Sequence, residues 1–464
     1  MNNYDVVVIG SGPGGYVAAV RAAHLGLKTA LVEKDPKLGG TCLLRGCIPT
    51  KALLHSADLL DELRHAGEHG IVTGEVSFDF AGVQKARQKV VDKSAAGVAY
   101  LMKQNKIDVH AGRGRLKDAH TVLVESGKEK VELATKYIIV ATGSVPKEVP
   151  IAKTDGQRIV TSNEMLELKA PPKSLLVLGA GAVGMEFASV YARFGAKVTV
   201  IEMLPHALPI EDDEVSIEIE KAFKKRGITV HTGAKLESAE VQGSKVVAKV
   251  ITAKGPETLS AELMLVAVGR APVTADLGLE ALGIAIDKQG FVAVDTLMRT
   301  AVPHIYAIGD IVRTPQLAHV ASAEAMLAVD HLAGKQVEAI NYRHSPSATY
   351  CDPEVASVGV SEKAAREQGF DVAIGKFPFS ALGKARILGK SEGFVKIVSD
   401  KRYGEILGVH IIGPHATDLI AEAVMAMRLE STVEELAHTI HAHPTLPEAV
   451  LEAAHGALGR PIHL

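Results

Sequence analysis

"YDVVVIGSGPGGYVAAVRAAHLGLKTALVEK", residues 4–34, decides the fold of the first part of the chain. The apolar runs at residues 5–9 and 29–32 predict two buried strands, and residues 14–25 between them predict a helix. Gly10, Gly12 and Gly15 form the pattern G-x-G-x-x-G, and Glu33 closes the second strand. In a βαβ unit these glycines make the turn, admit a pyrophosphate and let helix pack on strand, while the acid accepts a hydrogen bond from a ribose. A glycine-rich turn alone would be weak evidence, but the complete unit predicts a dinucleotide site.

The same pattern returns in "KSLLVLGAGAVGMEFASVYARFGAKVTVIE", residues 173–202. Gly179, Gly181 and Gly184 stand where the first three glycines stood, and Glu202 closes the strand. Two such units predict two dinucleotides, one held permanently and one exchanged. No arginine follows in residues 203–205 to receive a 2′-phosphate, so the second site is expected to prefer NAD to NADP.

Length and net charge limit the number of domains and the kinds of partner that the chain can have. With 464 residues, 47% of them apolar, the chain is long enough for two to four domains. Its 51 basic and 54 acidic side chains give a net charge of −3, which argues against a nucleic-acid partner. The N-terminus lacks the pattern of a signal peptide, and no apolar run reaches the roughly 18 residues of a membrane span. We therefore expect a cytoplasmic protein with no membrane association.

The stretch "GGTCLLRGCIPTK", residues 39–51, holds Cys42 and Cys47, two of only three cysteines. In a reducing compartment such a pair is more often redox-active or metal-binding than structural. Redox chemistry is favoured because residues 39–52 offer no histidine as a further ligand. Residues five apart in a regular helix have Cα atoms roughly 9 Å apart, whereas a disulfide requires about 4.4 to 6.8 Å. The chain must therefore be distorted between the two cysteines, and Gly46 and Pro49 are residues that allow this.

Three further stretches predict strands that run into glycine turns: "YIIVATGS" (residues 137–144), "LVAVGRAP" (265–272) and "IYAIGD" (305–310). The first two would complete the two nucleotide-binding domains. Asp310 ends the third, either as an ordinary turn residue or as a ligand-binding acid. Cys351 stands alone after an apolar run and is expected to be a buried structural cysteine.

The chain resembles the FAD-dependent pyridine nucleotide-disulfide oxidoreductases. The resemblance rests on the two G-x-G-x-x-G fingerprints, the C-x4-C-x-P-x-K stretch, "ATGS", "YAIGD" and the terminal "HAHPTLPE". The resemblance runs from Tyr4 to about Glu452. It implies an α/β fold with two Rossmann-like dinucleotide-binding domains, for FAD and NAD, and a C-terminal α+β dimerisation domain. The expected limits are 1–150 (FAD domain, first part), 151–272 (NAD domain), 273–342 (central domain completing the FAD site) and 343–464 (interface domain).

The resemblance also assigns cofactor residues for a tightly bound FAD and for NAD, with no metal. Lys51 would lie near the reactive nitrogen of the flavin, paired with Glu186, although an ordinary surface lysine is the alternative. His319 would lie along the flavin or serve as a capping or core histidine. The expected cofactor-binding residues are Gly10, Gly12, Gly15, Glu33, Lys51, Gly114, Thr142, Gly143, Asp310, Ala318, Gly179, Gly181, Gly184, Glu186, Glu202 and Gly269.

The catalytic residues implied by the resemblance are Cys42, Cys47, His443 and Glu448. Cys42 and Cys47 would form a redox-active disulfide, with Cys47 nearer the flavin and Cys42 exchanging with substrate. Pro444 biases His443 away from helical geometry, and "PEAVLEA" predicts a helix beginning near Pro447. His443 could then pair with Glu448 as a base acting on the disulfide of a second subunit. Ordinary surface positions are expected for the neighbouring histidines His438 and His455.

The implied reaction is oxidation of a protein-bound dihydrolipoyl group to a lipoyl group, with NAD as acceptor. The partners would be a second copy of the chain and the lipoyl domains and acyltransferase core of a 2-oxo acid dehydrogenase complex. Another flavin disulfide reductase, resembling glutathione reductase, remains an alternative, and a scaffold flavoprotein a weaker one. The sequence departs from the family at Leu44-Arg45, where Asn-Val is common, and a cation at Arg45 could favour thiolates.

Overall fold

The computed structural model describes residues 2–463. Its strands, in chain order, are β1 Asn2–Ile9, β2 Thr29–Glu33, β3 Asp108–Ala111, β4 Arg113–Asp118, β5 Thr121–Ser126, β6 Glu129–Val140, β7 Ser144–Pro146, β8 Ile159–Val160, β9 Ser174–Leu178, β10 Lys197–Ile201, β11 Thr229–His231, β12 Lys235–Gln242, β13 Lys245–Thr252, β14 Gly255–Ala261, β15 Leu263–Val266, β16 Arg270–Pro272, β17 Ile305–Ala307, β18 Ser347–Thr349, β19 Glu354–Gly359, β20 Val372–Pro378, β21 Phe394–Asp400 and β22 Ile406–Gly413.

The helices are α1 Pro13–His24, α2 Gly40–Arg45, α3 Cys47–His65, α4 Phe80–Gln104, α5 Ser162–Leu166, α6 Ala182–Arg193, α7 Asp213–Lys225, α8 Ala318–Leu332, α9 Glu362–Glu367, α10 Gly383–Ile387, α11 Ala416–Arg428, α12 Val433–His438 and α13 Glu448–Ala457. The chain forms two units. The first runs up to Ala52 and includes Ala81–Lys147 and Gly269–Tyr342; the second comprises Leu53–Phe80, Glu148–Val268 and the chain from Arg343 onward.

The first unit is built on a sheet in the order β3-β2-β1-β6-β5-β4, with β17 also paired to β6. Strands β1, β2, β3 and β17 run parallel to their partners, whereas β4 and β5 are antiparallel. Along β1, Val6 and Val8 pack with α1 on one face, while Val7 and Ile9 pack into a second core on the other. Because both faces are covered, the strand is continuously apolar from Val6 to Ile9, as parallel strands usually are.

The second unit contains a parallel sheet in the order β11-β10-β9-β15-β8. Helix α6 connects β9 to β10 and packs on both of them, which repeats the βαβ arrangement of the first unit. An antiparallel meander, β12-β13-β14, lies between β11 and β15 in the chain. The sequence had not indicated this meander.

The C-terminal part of the second unit is an antiparallel sheet in the order β18-β19-β22-β21-β20. Helices α11 and α13 pack on it through a core that includes Val395, Ile397, Ile411, Ile420 and Val450. This α+β layer carries the residues near position 443 on the connection between α12 and α13.

Most of the elements predicted from sequence are confirmed. β1, α1 and β2 coincide with the first predicted βαβ unit within a few residues, and β9, α6 and β10 with the second. The helix predicted to begin near Pro447 begins at Glu448, with Pro447 as its N-cap. The predicted domain limits stay a prediction. Within residues 2–463, no helix combines the length and apolar character of a membrane span.

Candidate active site

The first fingerprint turn is shaped by contacts that leave no room for a side chain. Gly10 has φ +103°, and a Cβ there would lie 2.3 Å from the carbonyl oxygen of Ala141. A Cβ at Gly15 would lie 1.8 Å from the carbonyl oxygen of Gly10, so helix and strand meet at their backbones. A Cβ at Gly12, by contrast, would meet no atom within 4 Å. The turn therefore leaves open space at the N-terminus of α1, where a phosphate group can be bound by backbone N–H groups.

Glu33 supports this turn from within the protein. Its Oε2 accepts hydrogen bonds from the Ser11 backbone N–H at 2.8 Å and from the Ser11 hydroxyl at 2.6 Å. Its Oε1 accepts one from the Asp35 N–H at 2.8 Å. Each carboxylate oxygen has two lone-pair sites, so Oε1 retains the capacity to accept from a ribose hydroxyl.

The second fingerprint repeats this geometry. Gly179 has φ +102°, and a Cβ at Gly184 would lie 1.9 Å from the Gly179 carbonyl oxygen, whereas Gly181 faces open space. Glu202 accepts from the backbone N–H of Ala180 at 2.7 Å and of Leu204 at 2.8 Å, the same two positions relative to the motif. Two loops of matching geometry fit two dinucleotides.

The cysteine pair lies at the break between two helices. Cys42 is in α2 and Cys47 is the first residue of α3, and Gly46 between them has φ −139° and ψ −113°. The expected distortion between the cysteines is thus confirmed and falls at Gly46. A Cβ at this position would lie 2.9 Å from the carbonyl oxygen of Thr41.

No disulfide joins Cys42 and Cys47 in this structure, and Cys42 is hydrogen-bonded to Cys47. The hydrogen bond to Cys47 and then burial raise the pKa of Cys42, whereas the Lys51 ammonium lowers it. Arg45 forms an ion pair with Asp35. Lys51 is therefore the cation that favours a thiolate at Cys42, and the charge of Arg45 is neutralised elsewhere.

Arg270 is a site residue that the sequence analysis missed. Its Nε donates to the Ser144 hydroxyl at 2.6 Å, its terminal nitrogen donates to the Ser144 carbonyl at 2.7 Å, and Asp310 lies 3.8 Å away. Burial lowers the pKa of the Arg270 guanidinium, whereas the charges of Asp310 and Cys47 raise it. A partly buried cation therefore lies within electrostatic reach of both Cys47 and Asp310. The available signal was an arginine directly after the glycine turn of "LVAVGRAP".

The turn that carries Asp310 is fixed by Glu324, which the sequence analysis also missed. Glu324 lies fully buried on α8. It accepts from the Gly309 backbone N–H at 2.6 Å and from the Tyr342 hydroxyl at 2.9 Å. Burial raises the pKa of the Glu324 carboxyl. An acid within an apolar helix was the signal for this role.

The remaining predicted FAD residues lie in the first unit. Thr142 donates from its hydroxyl to the Val273 carbonyl at 2.6 Å, which ties down the turn at Gly143. Ala318 is the first residue of α8, and His319 next to it is exposed. Gly114 lies buried on β4, where a Cβ would come within 3.0 Å of the Ile9 and Val32 side chains. Packing therefore favours a glycine at this position.

Two other predicted residues have defined surroundings. Glu186 is buried on α6, and its Oε1 accepts from the Tyr350 N–H at 3.0 Å. Gly269 is exposed with φ +109°. Cys351 is buried as expected; its thiol donates to the Pro353 carbonyl at 3.3 Å, and burial raises its pKa.

His443 and Glu448 form the predicted pair. The His443 Nδ1 lies 2.8 Å from the Glu448 Oε1, and the Thr445 N–H donates to the other carboxylate oxygen at 2.8 Å. Burial raises the pKa of the Glu448 carboxyl, but the bonds from Thr445 and His443 outweigh it, so the net shift is downward. The His443 side chain is 79% exposed. The pair therefore presents the ring Nε2 at the protein surface, where it can accept a proton.

Comparison with known proteins gives the same answer as the resemblance found in the sequence. The family model "Pyridine nucleotide-disulphide oxidoreductase" matches residues 4–325, and the model of the dimerisation domain of that family matches residues 345–454. Dihydrolipoyl dehydrogenase of Bacillus subtilis is 48% identical over 471 residues, covering 99% of each chain.

Solved structures agree. LpdA from Mycobacterium tuberculosis matches with a TM-score of 0.90 and 30% identity, over 98% of this chain and 99% of that one. The Cu(II) complex of the HOCl-induced flavoprotein disulfide reductase RclA from Escherichia coli matches with a TM-score of 0.88 and 28% identity, over 98% and 99% of the two chains. The family and the α/β fold expected from the sequence are confirmed, as is an oxidoreductase class that uses flavin and nicotinamide. The chain belongs to the pyridine nucleotide-disulphide oxidoreductase family.

Proposed function

We propose that the chain is a dihydrolipoyl dehydrogenase, which oxidises a protein-bound dihydrolipoyl group and reduces NAD. The observation that carries the proposal is the pairing of two kinds of site in one chain. Cys42 and Cys47 share a hydrogen bond near Lys51, and His443 is bound to Glu448. A relative 48% identical over nearly its whole length carries that name.

FAD would be held in the first unit and NAD in the second. The open space at Gly12 and the fixed turn at Asp310 fit the pyrophosphate and the ribityl chain of FAD, and the loop at Gly181 fits NAD. Bound FAD would supply the two-electron chemistry that couples the cysteine pair to the nicotinamide. The absence of arginine in residues 203–205 supports NAD rather than NADP.

The thiol steps use groups of this chain. His443 donates a hydrogen bond from its Nδ1–H to Glu448, which leaves Nε2 free to take the proton of a substrate thiol. The resulting thiolate attacks Cys42 of the oxidised pair: a substrate–Cys42 bond forms, the Cys42–Cys47 bond breaks, and Cys47 leaves as a thiolate. The second substrate sulfur then displaces Cys42 and closes the lipoyl ring. The two electrons of the substrate now reside in the cysteine pair.

The dimerisation-domain match, residues 345–454, includes His443 and Glu448. We propose that this pair acts on the cysteines of a second copy of the chain. Mixing a His443→Gln dimer with a Cys42→Ser dimer under conditions of subunit exchange should then restore activity, because the mixed dimer has one complete site. Two inactive parents that stay inactive after verified exchange would contradict action between subunits.

The physiological partner would be a lipoyl domain on the acyltransferase core of a 2-oxo acid dehydrogenase complex, in the cytoplasm. A reductase similar to glutathione reductase is the alternative. The test is to follow NADH formation from NAD with dihydrolipoamide, with oxidised glutathione and NADPH in parallel. NAD-dependent oxidation of dihydrolipoamide supports the proposal. NADPH-dependent reduction of oxidised glutathione, with no oxidation of dihydrolipoamide, would refute the proposed substrate.

A further inference from the structure

A second histidine–carboxylate pair lies two residues from the first, and the proposed mechanism does not use it. His441 Nε2 lies 2.7 Å from Glu422 Oε1 on α11, and His441 Nδ1 lies 2.9 Å from the Thr439 carbonyl oxygen. The His441 side chain is only 5% exposed, whereas His443 is 79% exposed. The two histidines of "HAHP" thus have opposite surroundings.

Both ring nitrogens of His441 have a partner. Nδ1 lies against the carbonyl oxygen of Thr439, on the same segment as His443, and Nε2 lies against the Glu422 carboxyl on α11. The ring is therefore held at two points, one on its own segment and one on a neighbouring helix.

The segment that carries His443 has few other anchors. Between Thr439 and Pro444, His441 is the one residue that is not exposed. On the C-terminal side, the Thr445 hydroxyl donates to the Ala442 carbonyl at 2.6 Å, and its N–H donates to Glu448. The ring of His441 therefore ties the first half of the segment to α11, as Glu448 ties the second half to α13.

Charged groups from two helices interact with His441. Glu422 belongs to α11 and Glu448 to α13. His441 lowers the pKa of the Glu448 carboxyl, which places its charge within reach of the His443 pair.

We infer that His441, held between Glu422 and the Thr439 carbonyl, is the positioning residue for His443. Its part in catalysis depends on the proposed function, but its hold on the segment does not. His441→Gln breaks the link between the segment and α11, and a displaced base costs rate steeply. Glu422→Gln is the conservative variant, because its amide keeps the shape of the carboxyl and can donate to Nε2.

The first test is nuclear magnetic resonance of the holoenzyme with 15N-labelled histidine, with the His441 signals assigned by their loss in His441→Gln. The His443 signals are assigned in the same way from His443→Gln. We expect the His443 ring signals to shift and broaden in His441→Gln and to stay at their native positions in His438→Gln. In Glu422→Gln they should move less than in His441→Gln, because the amide can preserve the contact. Unchanged His443 ring signals in His441→Gln overturn the inference.

The second test separates positioning from folding. His441→Gln should lower kcat for dihydrolipoamide oxidation by about tenfold to hundredfold, while electron transfer from NADH to ferricyanide, which needs no thiol base, stays unchanged. Glu422→Gln should retain more activity than His441→Gln, and the matched surface variant His438→Gln should retain all of it. Unchanged kcat in His441→Gln, or equal loss in both assays, refutes the positioning role. If the unsubstituted enzyme does not oxidise dihydrolipoamide, the proposed function fails and the resonance test still decides whether His441 positions His443.

Discussion

The substitution Glu448→Gln tests the pairing with His443 because it changes the chemistry at constant shape. The Thr445 N–H, 2.8 Å from Oε2, can donate only to the amide oxygen of the glutamine. The amide NH2 group must then face His443 Nδ1, 2.8 Å away in the native pair. Two donors cannot bond, so the ring adopts the tautomer with its proton on Nε2. That nitrogen can no longer accept the proton of a substrate thiol.

The size of the effect follows from two losses. A hydrogen bond to a charged group contributes about 1.5–3 kcal/mol, which is about a tenfold to 150-fold change in rate. The wrong tautomer extends the loss toward the roughly 10⁴-fold decrease seen when the orienting acid of a serine protease becomes an amide. We expect kcat for dihydrolipoamide oxidation to fall by about 100-fold to 10,000-fold.

The same helix offers a matched control. Glu452 on α13 forms an equivalent pair with His463, at 2.7 Å, and has no part in the proposed chemistry. Glu452→Gln should therefore leave kcat per folded enzyme unchanged. The assay is NADH formation under saturating dihydrolipoamide, with NADH-to-ferricyanide transfer as the measure of an intact flavin site. A Glu448→Gln enzyme with kcat within twofold of the native value would refute the reasoning.

Three further substitutions test other parts of the structure. Lys396→Met removes the ammonium group that lies 3.0 Å from the buried Asp212 carboxylate, so the free energy of unfolding measured in urea should fall by about 3–5 kcal/mol. Lys396→Met combined with Asp212→Asn should recover part of this loss. An unchanged urea midpoint in Lys396→Met would contradict the prediction. Gly46→Ala places a methyl group 2.9 Å from a carbonyl oxygen of α2. Disulfide formation on addition of oxidised lipoamide to the anaerobically reduced enzyme should therefore slow, and a native rate of thiol loss would contradict the proposed constraint. Arg270→Gln removes a cation near Cys47, so alkylation of Cys47 by iodoacetamide at pH 7 should slow, because the loss of a nearby positive charge disfavours the thiolate; a native rate speaks against this influence.

The local features of the site could be predicted from the sequence because they depend on short spacings. The glycines of each fingerprint stand at fixed steps in one turn, and their acid lies on the next strand. The need for distortion at Gly46 followed from helix geometry alone. The pairing of His443 with Glu448 spans five residues across the start of a helix.

The features that were missed depend on contacts between distant parts of the chain. Arg270 reaches Ser144 because β16 pairs with β7, a register that no local pattern reveals. Glu422 and His441 lie on different elements, brought together by the packing of α11 on the C-terminal sheet. The role suggested for Arg45 was incomplete for the same reason, since the nearby carboxylate of Asp35 takes up its charge.

The central claim is that the cysteine pair carries electrons from a dihydrolipoyl group. The most direct test compares Cys42→Ser with the native enzyme in two assays. We expect the variant to lose NADH formation from dihydrolipoamide completely and to retain electron transfer from NADH to ferricyanide. Alkylation and mass spectrometry of the native enzyme should show Cys42 and Cys47 converted from disulfide to thiols by dihydrolipoamide alone. Continued oxidation of dihydrolipoamide by Cys42→Ser at the native rate would contradict the account.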